Sequence, residues 1–141
     1  MPRLLLLCLL ALAGCAASVP PAGTQFDGPY AGQSTLTDGF GYVCSLPSYP
    51  LSISIHDGRF DYPVLIGAWG AGPIPVQVHQ DGSLTGKLLY PTEDYSRVQG
   101  RNYISAWATI EGHISGTTLN ATVSDYRCAR QLALQRGAMP G

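Results

Sequence analysis

Leu51-Ser52-Ile53-Ser54-Ile55-His56-Asp57-Gly58-Arg59-Phe60-Asp61-Tyr62-Pro63-Val64 is the stretch that decides the fold. Leu51, Ile53 and Ile55 alternate with Ser52 and Ser54, the two-residue period of a strand with one buried and one wet face. Asp57-Gly58 then supplies the residues that tolerate positive φ in a two-residue hairpin turn. Phe60, Tyr62 and Val64 carry the alternation back. One antiparallel hairpin is therefore legible without any other information.

The same pattern recurs on both sides. Downstream, Val76 and Val78 lead to an Asp81-Gly82 turn, and Leu84, Gly86, Leu88 and Tyr90 return from it. Ile104, Ala106, Ala108 and Ile110 alternate with Ser105, Trp107 and Thr109, and the stretch Gly112 to Gly116 is expected to turn the chain into Leu119, Ala121 and Val123. Upstream, Tyr30, Gly32, Ser34 and Leu36 share one side of a strand. Thr37 to Pro50 and Gly67 to Pro75 hold too much Gly and Pro for a ladder and read as loops, with residues 91–103 as a polar connection. Ala129 to Arg136 is rich in helix formers. A strand is preferred there, because Cys128, Arg130, Leu132 and Leu134 would share a face and cover a sheet edge. The expected fold is all-β, an antiparallel meander of about eight strands forming a small or flattened barrel. A two-sheet sandwich, with or without a short C-terminal helix, is the alternative. Phe26, Tyr30, Phe60, Tyr62 and Tyr90 fall on inward faces, so the interior is expected to be filled.

Composition narrows the classes. The chain has 141 residues, 8 Lys plus Arg against 9 Asp plus Glu, and only 12% charged residues, scattered singly. No basic footprint for nucleic acid exists, and no polybasic run for anionic lipid. The start differs: Arg3 precedes an apolar run from Leu4 to Ala13, about half of the roughly 20 residues that a helix needs to cross a bilayer. Charged start, short apolar core and small residues at its end are the parts of an export signal.

Leu12-Ala13-Gly14-Cys15 closes that run and resembles the lipobox of bacterial lipoproteins. The resemblance implies cleavage before Cys15, acylation of its thiol, and a domain order of signal peptide 1–14, lipidated cysteine and flexible tether 15–25, and a single β domain 26–141. Loss of Arg3 then leaves 7 basic against 9 acidic residues, a net charge of −2 with the amino terminus acylated. Residues 16–25, AASVPPAGTQ, have no apolar period and would reach up to roughly 30 Å. Ala16 after the cysteine favours the outer membrane by resemblance to the known sorting rule. Membrane contact through the lipid is the implied partnership, and the implied location is the bacterial cell envelope.

With Cys8 in the signal and Cys15 lipidated, Cys44 and Cys128 remain in an oxidising compartment and are expected to pair. Free or metal-binding thiols are the alternative, without C-x-x-C spacing or a nearby His to support them. The opening Phe26-Asp27-Gly28-Pro29-Tyr30-Ala31-Gly32 resembles an F-D-G-x-Y-x-G start found in small exported bacterial proteins, which implies a small antiparallel β domain with a late cysteine and no catalytic residues.

A catalytic frame is absent from the sequence. Gly82-Ser83-Leu84-Thr85-Gly86 has a serine in a hairpin rather than in the strand-to-helix elbow of hydrolases. His56 and His79 lack metal-ligand spacing, so no metal or cofactor is expected. Trp69 in a Gly/Pro loop, with Tyr95, Arg97, Arg101 and Tyr103 in the polar connection, are the residue types of binding hot spots and form the candidate contact surface. The alternative for Trp69 and Tyr103 is that they cap the barrel end. The expected function is a non-enzymatic, membrane-anchored binding or envelope-structural module with an envelope protein as partner. A periplasmic inhibitor of a lysozyme or protease, and a small-ligand carrier, are the alternatives.

Overall fold

The structure, a computed structural model, describes residues 22–39, 44, 46–63, 73–94 and 102–137. Eight strands follow a short 3-10 turn at Thr24–Phe26: β1 (Gly28–Asp38), β2 (Ser48–Ile55), β3 (Arg59–Tyr62), β4 (Ile74–Val78), β5 (Ser83–Asp94), β6 (Asn102–Ser115), β7 (Thr118–Ser124) and β8 (Ala129–Arg136). They form one antiparallel sheet in the order β2-β1-β8-β7-β6-β5-β4-β3. First and last strands pair, with Tyr30 opposite Arg136 and Ser34 opposite Leu132. The ends of the order, β2 and β3, are joined by the turn at Asp57-Gly58, where His56 and Arg59 exchange backbone hydrogen bonds of 2.9 and 3.0 Å. The sheet is a nearly closed barrel with its seam between β2 and β3. A single curled sheet replaces the sandwich alternative, and β8 replaces the C-terminal helix, because the β1 and β7 edges pair with it on both sides.

The opening hairpin behaves as its residues dictate. β2 alternates buried and exposed without a break, and Asp57 (φ 52°) and Gly58 (φ 66°) take the two positive-φ positions of a type I′ turn. The interior holds Tyr30, Tyr49, Ile53, Ile55, Tyr62, Ile110, Ile114, Leu119, Leu132 and Leu134, all buried. Each large apolar side chain contributes roughly 1.5–3 kcal/mol by leaving water. Phe60 and Tyr90 are buried and Phe26 packs against the core from one end, so the expected filled interior is present.

Several strand boundaries differ from the sequence reading, and β4 begins at Ile74, inside the loop expected over Gly67 to Pro75, with Pro75 opposite Asp61. The loop expected over Thr37 to Pro50 is shorter, since β1 runs to Asp38 and β2 begins at Ser48. Leu36 N–H donates to Pro47 O at 2.7 Å, and in that register Pro50 falls at a non-hydrogen-bonded position, its ring nitrogen facing the seam. The connection expected over 91–103 likewise shrinks, because β5 continues to Asp94 and β6 starts at Asn102. The bond from Ile114 N–H to Gly82 O sets the parity there, and it turns the Pro91 nitrogen away from β6, past the end of β4. Gly112, read as part of a turn, lies inside β6 opposite Ala121, where a Cβ would stand 2.3 Å from Asn120 O. It is the close approach of two backbones, not a reversal, that requires glycine.

The two barrel ends are unlike. One carries the tight turns at 56–59, 79–82 and 115–118, and residues 22–27 are strapped across it. Gly23 N–H donates to Val78 O at 2.9 Å, Gln25 Nε2 donates to Gln80 O at 2.6 Å, and Asp27 accepts from Asp57 and Gly58 N–H at 2.8 and 2.9 Å. Arg136 donates to the carbonyls of Gln25 and Asp27. Residues 22–25, expected at the end of the tether, are thus bound to the barrel. The other end carries the longer connections 39–47, 63–73 and 95–101 and the β7–β8 turn.

Candidate functional site

The loop-bearing end is organised by a buried cation. Arg130 on β8 is fully buried and its guanidinium forks: Nε donates to Ser34 Oγ (2.9 Å), Nη1 to Cys44 O (2.9 Å), and Nη2 to Ser34 O (3.2 Å) and Leu46 O (2.7 Å). Its plane also lies 4.5 Å from the centroid of Tyr49. Among the described residues no carboxylate pairs with it, so neutral acceptors and an aromatic face carry the charge. Tyr49 and Tyr62 share a hydroxyl–hydroxyl bond of 3.2 Å beneath it. Burial, with the Tyr49 hydrogen bond second, pushes the Tyr62 phenol well above its usual value. The network positions a loop, since each guanidinium nitrogen already donates to a backbone or hydroxyl oxygen.

The expected Cys44–Cys128 disulfide is present, with Cα atoms 5.6 Å apart. Only Ala129 separates Cys128, just before β8, from Arg130, so the covalent bond and the guanidinium hold the same loop from the start of β8. Leu46, whose carbonyl Arg130 holds, is 63% exposed, and Tyr126 in the β7–β8 turn is 51% exposed.

On the outer wall, Leu89 of β5 stands opposite Trp107 of β6, at 51% and 52% exposure. The Lys87 ammonium lies 5.3 Å from the indole centroid. All four exposed large apolar side chains among the described residues, Leu46, Leu89, Trp107 and Tyr126, lie in the loop-bearing half or at its end. Below Trp107 an open trough of about 620 Å³ crosses β3 to β6, lined by Arg59, Asp61, Gln77, Lys87, Thr109 and Glu111 among others.

Of the sequence candidates, Cys15, Trp69, Tyr95, Arg97 and Arg101 lie outside the described residues. Tyr103 pairs through its backbone with Glu93 on β5. Trp107 was legible as an outward residue, between inward Ala106 and Ala108, but alternation alone does not say that its surroundings leave an indole half uncovered. Ser83 is used by its turn, its hydroxyl donating to Asp81 Oδ1 at 2.6 Å. That bond, joined by the Ser83 N–H, holds the Asp81 carboxyl below its ordinary range. His56 meets Ser54 and His79 meets Thr85, and among the described residues no group of three His, Cys, Asp or Glu side chains could hold a metal. Compared with known proteins, the chain matches no family model, no curated sequence and no solved structure.

Proposed function

We propose that this is a lipid-anchored exported protein of the bacterial envelope that acts as a non-enzymatic binding module, held by acylated Cys15 and engaging an envelope protein through its loop-bearing half. The polarity of the barrel carries this reading. The segment leading back to Cys15 leaves from the tight-turn end at Ala22, whereas Leu46, Leu89, Trp107 and Tyr126 lie toward the other. Seven residues from Cys15 to Ala22 span at most roughly 23 Å, so an anchored barrel keeps its strapped end near the membrane and its loops away from it. Apolar and aromatic side chains on a braced surface are what a protein partner would desolvate.

The test has two arms. Wild-type protein should partition with membranes and carry acyl mass, and Cys15→Ser should be extracted without detergent. A photocrosslinker at position 46 or 126 should then give discrete adducts in intact envelopes, while one at 56 or 117 should not. Acyl-free wild-type protein, or adducts formed equally from both ends, would overturn the reading.

A further inference from the structure

The outer wall carries a grid of side chains that strand register alone puts together. One row runs Arg59, Gln77, Thr85, Glu111, each opposite the next on β3, β4, β5 and β6. The row above it begins with Asp61 opposite Pro75 and continues with Lys87 opposite Thr109. Trp107, opposite Leu89, stands at the top. Neighbours along a row are about 4.8 Å apart and successive rows about 6.8 Å apart. The wall is dented here, around Gly86, where a Cβ would lie 2.6 Å from Pro75 O and 2.8 Å from Ile110 Cγ2. The dent is the trough of about 620 Å³.

Its donor and acceptor pattern is specific. Arg59 and Lys87 are pure donors and Asp61 and Glu111 pure acceptors, while Gln77 is already engaged by Arg59 Nε and the carbonyls of Gly58 and Val78, Thr85 by His79 and Thr109 by Ser124. Among the described residues Asp61 and Glu111 engage no hydrogen-bonding partner, and the Lys87 ammonium engages only the Trp107 ring. A phosphate-bearing ligand needs donors and would meet two carboxylates; a polycation would meet Arg59 and Lys87. A polyol suits both, since every hydroxyl donates to a carboxylate as readily as it accepts from an ammonium. The trough has no deep pocket for a compact molecule, and its rows favour an extended chain. Beside the trough, the half-exposed Trp107 ring, with the Lys87 ammonium over one of its faces, adds an apolar surface next to a donor, the complement of a pyranose, which has a C–H face and a hydroxyl rim.

We propose that the trough from Arg59 and Glu111 up to Trp107 is a binding site for an uncharged glycan chain. This deepens the binding-module reading by naming a second ligand class; the two share Trp107, but Lys87 and Glu111 belong to the wall alone and Leu46 and Tyr126 to the loop end alone, so the two can fail separately. The probes are soluble β-1,4-linked hexamers of glucose and of N-acetylglucosamine, titrated calorimetrically and by amide chemical shifts into the folded domain. At least one hexamer should bind saturably at up to millimolar concentration, shifting residues 85–87 and 107–111. Trp107→Ala and Glu111→Gln should each weaken it about tenfold, the loss expected for a stacking surface or a charge-assisted hydrogen bond. Lys87→Met should weaken it several-fold, and unchanged melting temperatures would show that these exposed positions do not unfold the barrel. Leu46→Ser and Tyr126→Ser should leave glycan binding intact even if they abolish the loop-end adducts. No saturable binding of either hexamer, binding that survives all three wall substitutions, or an extended hexapeptide that binds the same residues more tightly would overturn the assignment.

Discussion

Replacing Arg130 with Met should destabilise the domain even though it removes a buried charge. A buried ion pair exchanged for apolar groups is often neutral, because relief of desolvation offsets the lost attraction. Here the partners are not charges that leave with the arginine. The carbonyls of Ser34, Cys44 and Leu46 and the Ser34 hydroxyl remain in place after the substitution. Each buried acceptor left without a donor costs about 1–3 kcal/mol, and relief of guanidinium desolvation returns several kcal/mol. The balance is a loss of about 2–4 kcal/mol. With a urea slope of about 1–1.5 kcal/mol per molar for a domain of this size, the midpoint should fall by about 2 M. Arg130→Lys should lie between, since one ammonium cannot fork to Ser34, Cys44 and Leu46 together. The effect should also be coupled to the disulfide, because both hold the loop at Cys44. In a double-mutant cycle with Cys44→Ala/Cys128→Ala the losses should fall short of additivity by about 1 kcal/mol or more. An Arg130→Met midpoint within error of wild type, or strict additivity with the disulfide removed, would refute the idea that the guanidinium pins this loop.

Reduction of Cys44–Cys128, which are 84 positions apart, should cost roughly 4–5 kcal/mol by the chain-entropy account, seen as a lower urea midpoint with reductant. An unchanged midpoint after complete reduction, verified by thiol counting, would refute it. Alkaline stability should fall as well. The Tyr62 phenol is raised in the fold by burial and by Tyr49, so its contribution is fully present below the ordinary phenol value of 10.0 and is lost as pH rises toward the folded value. In that window the loss is up to about 1.4 kcal/mol per pH unit for this group. Tyr62→Phe should flatten the decline of the denaturation midpoint above pH 10 by that share, and an unaltered slope would exclude Tyr62 as its source.

The strand faces were legible in the sequence because a period of two is a local property. Leu51, Ile53 and Ile55, the Asp57-Gly58 turn, and the inward set from Leu84 to Tyr90 each say which way a side chain points before any partner is known. The pairing of Cys44 with Cys128 followed from elimination by compartment. Boundaries were less legible, since Pro50 and Pro91 count against a strand until the free side of each nitrogen is known, and that depends on register.

By itself, the sequence determined an all-β meander with tight turns, inward aromatics, and an N-terminal stretch whose Leu12-Ala13-Gly14-Cys15 resembles a lipobox. Only the tertiary structure decided that Arg130 is an interior fork rather than an exposed cation, for its strand face reads the same in either case. Likewise, only closure of β1 on β8 placed the 22–27 strap and the long connections at opposite ends. The wall grid of Arg59, Asp61, Lys87, Glu111 and Trp107 draws on three of the four strands from β3 to β6 and on 53 positions of chain. Local alternation marks each of these residues as outward, but which outward residues become neighbours is settled by strand order and register, which are long-range choices of the folded sheet.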